Sequence, residues 1–152
     1  MEVLLIRHAQ TDKAGDYGEA GPPLNRTGLD RARKLGAELA RRGINVAAVP
    51  AAASPLLRAR QTARNAGLLK AMPSPLLAEV VTADPGKTSA LLEARQLPEE
   101  ALTAAEALLG SPPEGAIWVT HGLLMMGVLS KLDKTDPDHF IPDYCEIVPI
   151  QL

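Results

Sequence analysis

Apolar residues fall into short unbroken runs, separated by longer stretches in which they recur every three or four positions. Val3, Leu4, Leu5 and Ile6 form the first run, which predicts a strand from Glu2 to Ile6 buried on both faces. Further runs predict strands over Ile44 to Val49, Leu76 to Val81, Ala116 to Thr120 and Ile147 to Leu152. Between them the helical period takes over. Leu29, Ala32, Leu35, Gly36 and Leu39 share one face of a helix that Thr27 to Asp30 opens as a capping box and Gly43 ends. Ser54 as N-cap and Pro55 as first helical residue start a second helix, with Leu56, Ala59, Ala63 and Ala66 inward and Gly67 as its stop. Pro98 to Leu109 and Gly122 to Leu132 supply two more. Strands alternating with helices predict an α/β fold of three layers, a mostly parallel central sheet with helices on both faces, in a single domain over residues 1–152.

Composition narrows the class mainly by exclusion. With 46% hydrophobic residues and 16 Lys+Arg against 18 Asp+Glu, the chain is too apolar and too nearly neutral to stay disordered. A chain of about 150 residues buries roughly 68–70% of its unfolded surface, enough for a real core. Tyr17, Trp118, Phe140 and Tyr144 are the only aromatics and the net charge is −2, so no nucleic-acid partner is expected. No run approaches the ~18 apolar residues of a membrane span, so no membrane partner is expected either. Met1 leads directly into strand-like sequence, which argues for no signal peptide and a cytoplasmic protein. Cys145 is the single cysteine, ruling out an internal disulfide and a cysteine-built zinc site. The apolar stretch from Ile147 to Leu152 suits a monomer or a homodimer equally.

In open α/β sheets, ligands bind beyond the carboxyl ends of the strands. Arg7 and His8 follow the first predicted strand, Ser54 and Arg58 the second, Glu79 stands near the end of the third, and Thr120, His121 and Gly122 close the fourth. Two imidazoles, two guanidiniums and a carboxylate thus reach one sheet edge from four segments. Arg58 lies in the first turns of its helix, where unpaired N–H groups and the dipole favour an anion. Arg7 adds a second fork for phosphate or carboxylate oxygens. A doubly charged phosphoryl group is the natural guest of such a set. A neutral His8 can attack phosphorus, the arginines can neutralise its equatorial oxygens, and a carboxylic acid can protonate the leaving oxygen.

Blander readings compete at each position. A single histidine is more often a satisfied core residue than a catalyst. A metal held by His8, His121 and His139 is disfavoured by two arginines and by the lack of a carboxylate at ligand spacing, so neither metal nor cofactor is expected. Gly86-Lys87-Thr88 looks like the tail of a phosphate-binding loop, but Val81 stands where that motif needs its first glycine. Cys145 and Met125-Met126 read as packing residues.

Leu5-Ile-Arg-His-Ala-Gln-Thr11 resembles the Arg-His-Gly signature of the histidine phosphatase superfamily, the phosphoglycerate mutase-like proteins. The resemblance continues in family order through Pro23-Leu-Asn-Arg-Thr-Gly28, Ala53-Ser-Pro-Leu-Leu-Arg-Ala-Arg-Gln-Thr-Ala63 and Val119-Thr-His-Gly122. It implies a phosphoglycerate mutase-like fold with His8 as the phosphate-accepting nucleophile, Arg7 and Arg58 lining the phosphate pocket, and His121 as the second histidine on the transferring group. Glu79, in Leu77-Ala-Glu79, matches the proton donor, with Asp84 as rival; Thr11, Ser54 and Gly122 fall to phosphate binding. Three departures stand out: Ala9 for the usual glycine, Gln10 for the frequent glutamate, and Lys13-Ala14 for a common Trp-Asn pair. The resemblance implies hydrolysis of a phosphomonoester or a protein phosphohistidine, through a phosphohistidine on His8 and without metal. The partner is then a phosphorylated small molecule or a phosphoprotein. The alternatives are a non-catalytic phosphate- or phosphoprotein-binding module and a phosphoglycerate mutase-type phosphotransferase, for whose closing lid 152 residues leave little chain.

Overall fold

The computed structural model describes residues 1–13 and 15–152, so the Ala14 half of the Lys13-Ala14 departure lies outside the described residues. Among these, the strands β1 (Glu2–Arg7), β2 (Ala51–Ala53), β3 (Ala71–Pro73), β4 (Ile117–Thr120) and β5 (Ile147–Gln151) form one sheet in the order β3-β2-β4-β1-β5. Four strands run parallel and β5 alone pairs antiparallel, against β1. The helices are α1 (Arg26–Arg41), α2 (Leu57–Asn65), α3 (Pro85–Glu93), α4 (Glu99–Gly110) and α5 (Gly122–Lys131).

Alternation along β1 divides the core into two halves. Leu4 and Ile6 face α1 and α2, packing with Leu35, Leu39, Ala59 and Ala63. Val3 and Leu5 face α4 and α5, packing with Ala105, Leu108, Leu124 and Met125. Strand β4 repeats the device, sending Ile117 and Val119 to the first half and the fully buried Trp118 to the second. Both faces are therefore dry, which is why these strands read as unbroken apolar runs. Truncating a residue such as Leu5 to alanine costs about 2–5 kcal/mol, a large share of a domain's stability.

Proline blunts both edges of the sheet. Ser74 N–H donates to Ala53 O, so the preceding Pro73 turns its nitrogen away from β2, where no strand is waiting. On the far edge, Arg7 N–H to Glu146 O and Leu152 N–H to Met1 O bracket the ladder, and alternation turns the nitrogen of Pro149 outward too. An edge without its donor is a poor template for a further strand.

Several predicted elements shift. The second strand is not Ile44 to Val49: Asn45 O accepts from Ala48 and Val49 N–H to form a turn whose apolar side chains seal the α1–α2 half. The strand falls on Ala51–Ala53 instead, three small residues with helices packed on one face and Trp118 on the other. The third strand is Ala71–Pro73 rather than Leu76 to Val81; Pro75–Leu77 is a 3₁₀ turn that sinks Leu77 into the core and leaves Val81 exposed. Helix α1 is capped by Asn25, not Thr27, with Asn25 Oδ1 accepting from Gly28 N–H at 2.8 Å. Helix α2 begins at Leu57 rather than directly after Ser54. Helix α3 buries no residue, so no apolar stripe announces it; Gly86-Lys87-Thr88 forms its first turn behind the Asp84 cap. No helix among the described residues is long and apolar enough to cross a membrane.

The topology sets the position of the site. After β1 the chain leaves toward the α1 face, and after the neighbouring β4 it leaves toward the α5 face. Connections departing in opposite directions open a crevice at the carboxyl ends of these two strands.

Candidate active site

Arg7 and Thr120 are paired in register at the ends of β1 and β4, so His8 and His121 are each the next residue out. His8 N–H donates to Thr120 O at 2.9 Å, locking the two strand ends together. The imidazole rings stand 5.2 Å apart, inclined at 60°.

Each ring has one nitrogen engaged. His8 Nδ1 lies 2.7 Å from Ala9 O, and a carbonyl only accepts, so Nδ1 carries the proton and Nε2 keeps a free lone pair. His121 is the reverse. Its Nε2 lies 2.8 Å from Ser54 Oγ, while its buried Nδ1 has no hydrogen-bond partner among the described residues. Ser54 Oγ accepts from Leu56 N–H at 3.2 Å and its own proton has no other acceptor among the described residues; donated to His121 Nε2, it leaves the imidazole proton on Nδ1. Burial lowers the pKa of His8 to about 4, outweighing the upward pull of the Ala9 carbonyl, and Arg58 and Arg7 push in the same direction as burial. His121 falls to about 2, by burial first and then by Arg58, His8 and Arg7. Both rings are neutral at neutral pH.

The guanidiniums are placed by glycine and by long-range contacts. Arg7 Nη1 donates to Pro142 O at 2.6 Å, and its buried Nε has no partner among the described residues. A Cβ at Gly122 would stand 3.1 Å from Arg7 Nε, so the glycine after His121 lets α5 start against the arginine. Arg58 is half-buried on α2, and a Cβ at Gly21 would come within 2.9 Å of its Nη1. Burial lowers the pKa of Arg58, against the opposing pull of Glu79 and Tyr144.

Glu79 sits in the segment after the 3₁₀ turn, which Thr120 Oγ1 pins by donating to Leu77 O at 2.6 Å. Its carboxylate accepts from Val80 N–H at 2.9 Å, and the N–H groups of Leu123 and Leu124 together with Arg58 favour the ionised form. Burial outweighs them and pushes its pKa up. Asp84 is occupied elsewhere, its Oδ1 accepting from Lys87 N–H at the start of α3.

His8, His121, Arg7, Arg58 and Glu79 thus form one electrostatically connected group. Ser54 lies behind His121 and orients it. Thr11 is held through its backbone, bridged to Leu24 and accepting from Asn25 Nδ2 at 2.9 Å. Ala9 is fully buried and has no positive φ; its N–H is taken by Thr62 Oγ1 at 2.9 Å, so the methyl packs among Leu24 and Ala32. Gln10 carries a buried Oε1 without a partner among the described residues. His139 lies outside the group, its Nε2 2.5 Å from Glu146 Oε1; with Asp143 these three bring their ligand atoms within 4.8 Å of one another.

Three supporting residues had no role assigned from sequence. Thr62 holds Ala9, Gln61 Oε1 accepts from Leu24 N–H at 2.7 Å, and both belong to the Ser-Pro-Leu block. They are polar residues on a helix face otherwise turned inward, which is the signal that they brace the loop after β1. Tyr144, over Arg7, belongs to no motif and gave no signal.

A family model described as the histidine phosphatase superfamily (branch 1) matches residues 3–86, more than half of the chain. No curated protein matches it in sequence. Among solved structures, TTHB049 from Thermus thermophilus aligns with a TM-score of 0.70 at 25% identity, covering 99% of this chain and 93% of that one. A mycobacterial glucosyl-3-phosphoglycerate phosphatase complexed with VO3 aligns at 0.70 and 20% identity, covering 99% and 90%. The protein histidine phosphatase SixA complexed with tungstate aligns at 0.59 and 22%, covering 100% and 88%. The last two are likenesses of fold.

Proposed function

The chain belongs to the histidine phosphatase superfamily, branch 1, and on that premise we propose that it is a metal-independent phosphatase acting on a phosphomonoester or a protein phosphohistidine through a phosphohistidine on His8. One observation carries the reading: two buried imidazoles 5.2 Å apart, His8 with its Nε2 unspent and His121 with its Nδ1 unspent, which the tautomers set by Ala9 and Ser54 make a lone pair and an N–H. A tetrahedral phosphoryl group uses both at once, as electrophile for the first and acceptor for the second. Arg7 and Arg58 supply the positive charge that a divalent ion supplies in many phosphoryl-transfer sites.

In the first step His8 Nε2 forms a bond to phosphorus as the bond to the leaving oxygen or nitrogen breaks, and that atom takes the proton of Glu79. Burial raises the pKa of Glu79 and so favours the protonated form, which suits a general acid. The Nδ1–H bond to Ala9 O stabilises the positive charge that develops on the phosphorylated ring. In the second step water attacks phosphorus, the Glu79 carboxylate takes its proton, and the P–N bond breaks to return His8 to its neutral form. Ser54 acts by orienting His121 rather than by binding phosphate.

The test is hydrolysis of p-nitrophenyl phosphate in EDTA by the wild type and by His8→Ala, with ³²P trapping of an acid-labile phosphoenzyme. Turnover that disappears in His8→Ala supports the reading. Vanadate binding without turnover makes the chain a binding module, and transfer of label to a glycerate or sugar acceptor makes it a mutase. The neighbours described as a glucosyl-3-phosphoglycerate phosphatase and a protein histidine phosphatase set the next assays: a panel of phosphorylated metabolites and one phosphohistidine protein.

A further inference from the structure

Arg7 is held from a direction that none of the sequence motifs covers, the segment leading into β5. Its Nη1 donates to Pro142 O at 2.6 Å and its carbonyl accepts from Cys145 N–H at 2.9 Å, so residues 142–145 grip both its side chain and its backbone. Tyr144 fills the space between these contacts. The guanidinium carbon of Arg7 sits 4.1 Å from the centre of the phenol ring, and that ring stands 5.7 Å from the ring of His8. The phenol is also close enough to Arg58 to act on its charge.

Tyr144 is itself fixed from both sides. Arg31 Nη2 donates to its carbonyl at 2.9 Å, and Cys145 beside it takes a φ of +60°, a left-handed conformation uncommon outside glycine. Two residues on, Glu146 Oε1 accepts from Asp143 N–H at 2.9 Å and meets His139 Nε2, tying the ends of the segment together. Such anchoring is more than a surface aromatic needs.

We propose that Tyr144 is a positioning residue for Arg7, its ring face holding the guanidinium plane so that the buried Nε–H beside Gly122 stays directed at the phosphoryl oxygens. The inference rests on the phosphatase reading, in which Arg7 binds the transferring group. A long side chain with an unspent donor has several accessible rotamers, and the aromatic face selects one through the attraction of its quadrupole for the cation. Displacing a binding group by about 1 Å can cost on the order of 100-fold in rate, so holding the plane matters even though Tyr144 performs no chemistry.

The experiment compares Tyr144→Leu and Tyr144→Phe in the full chain, by p-nitrophenyl phosphate hydrolysis and by calorimetric titration with vanadate. Tyr144→Leu is expected to lower kcat/KM at least tenfold and to weaken vanadate at least fivefold. Tyr144→Phe keeps the ring and is expected within threefold of wild type on both. Because the effect runs through Arg7, Tyr144→Leu should add less than twofold to the vanadate loss in an Arg7→Lys background. Wild-type behaviour of Tyr144→Leu overturns the proposal, as do a Phe variant as impaired as the Leu variant and fully additive losses with Arg7→Lys. Should melting curves show Tyr144→Leu unfolded, Tyr144→Met, of similar bulk without the ring, decides by the same criteria. A wild type that binds vanadate without turnover overturns the phosphatase reading alone, and the vanadate titrations still decide the role of Tyr144. A wild type that does neither overturns both.

Discussion

The carboxyl ends of β1 and β4 carry the same residue in the same register, yet the two histidines are prepared for opposite tasks. At β1, a backbone carbonyl takes the Nδ1 proton of His8 and leaves a lone pair facing outward. At β4, a serine hydroxyl takes Nε2 of His121 and leaves an N–H unspent. Burial and two arginines keep both rings neutral, so charge does not distinguish them. The difference lies entirely in which nitrogen the fold occupies. On the proposed reading, a nucleophile and a donor are made from one side chain by a choice of hydrogen-bond partner.

Replacing each ring in turn breaks the comparison most severely. On the proposed reading His8→Ala removes the atom that accepts the phosphoryl group, and it should abolish turnover and ³²P labelling to the limit of detection. His121→Ala removes one oriented donor, which should cost about 10²–10³-fold in kcat and leave a labelled enzyme, now slow to form. Equal residual activity in the two variants would mean that the rings do not divide the work as described. Arg58→Ala should fall next, because Arg58 acts on both histidines and on Glu79. A loss of at least about 100-fold in kcat/KM is expected for a charged donor to the transition state, and a loss under threefold would remove Arg58 from the site.

Ser54 sharpens the comparison from behind. Ser54→Ala strips His121 Nε2 of its partner while leaving the ring in place, and an unsatisfied buried nitrogen costs about 1–3 kcal/mol. With neither ring nitrogen partnered, nothing then holds the proton on Nδ1 and the imidazole becomes a mixture of its two tautomers. A loss of about tenfold in kcat is expected, since roughly 1.4 kcal/mol is a factor of ten. Nitrogen NMR of His121 should show Nδ1 protonated in the wild type and a mixture in the variant. An unchanged tautomer with unchanged kcat would leave Ser54 a packing residue.

The same two regions show what the sequence discloses. His8, Arg7, His121 and Arg58 stand at strand ends or on the first turn of a helix, where a local pattern is enough to place them. Their environments are set by contacts from far along the chain, such as Ser54 on His121 and Pro142 on Arg7. No spacing rule encodes these, and nothing in the sequence around Ser54 announces the hydrogen bond between its hydroxyl and His121. Strand β2 is hidden for a related reason: three alanines carry no strand propensity, and it is their parallel pairing with β3 and β4 in the folded sheet that makes them a strand. Helix α3 buries nothing and so has no stripe, although Asp84-Pro85 is a helix start on its own terms. Tyr144 approaches through a segment whose turn depends on a left-handed cysteine, a conformation that residue type does not announce.

The expected effect furthest from turnover concerns folding. His8 and His121 have folded pKa values of about 4 and about 2, below the 6.5 of an unfolded histidine, so on acidification the unfolded chain takes up protons that the native state refuses. Their contribution is therefore complete above pH 6.5 and is lost as pH falls from there, toward 4 for His8 and toward 2 for His121, at up to about 1.4 kcal/mol per pH unit for each ring. Glu79 acts in the opposite sense. Its folded pKa is raised above 4.5, so its contribution is present at low pH and lost as pH rises, partly offsetting the histidines in this window. His139, raised by its exposed pair with Glu146, likewise contributes below its folded pKa and adds little, because the pair is solvated. With two buried rings against one buried carboxylate, urea stability should fall between pH 6.5 and 4.5. His121→Asn, which removes one refused proton, should show about half the slope, whereas His139→Gln should leave it nearly intact. A wild type whose stability is flat or rises on acidification across this window would show that the rings are not held neutral, and the contrast between lone pair and N–H at the two strand ends would lose its basis.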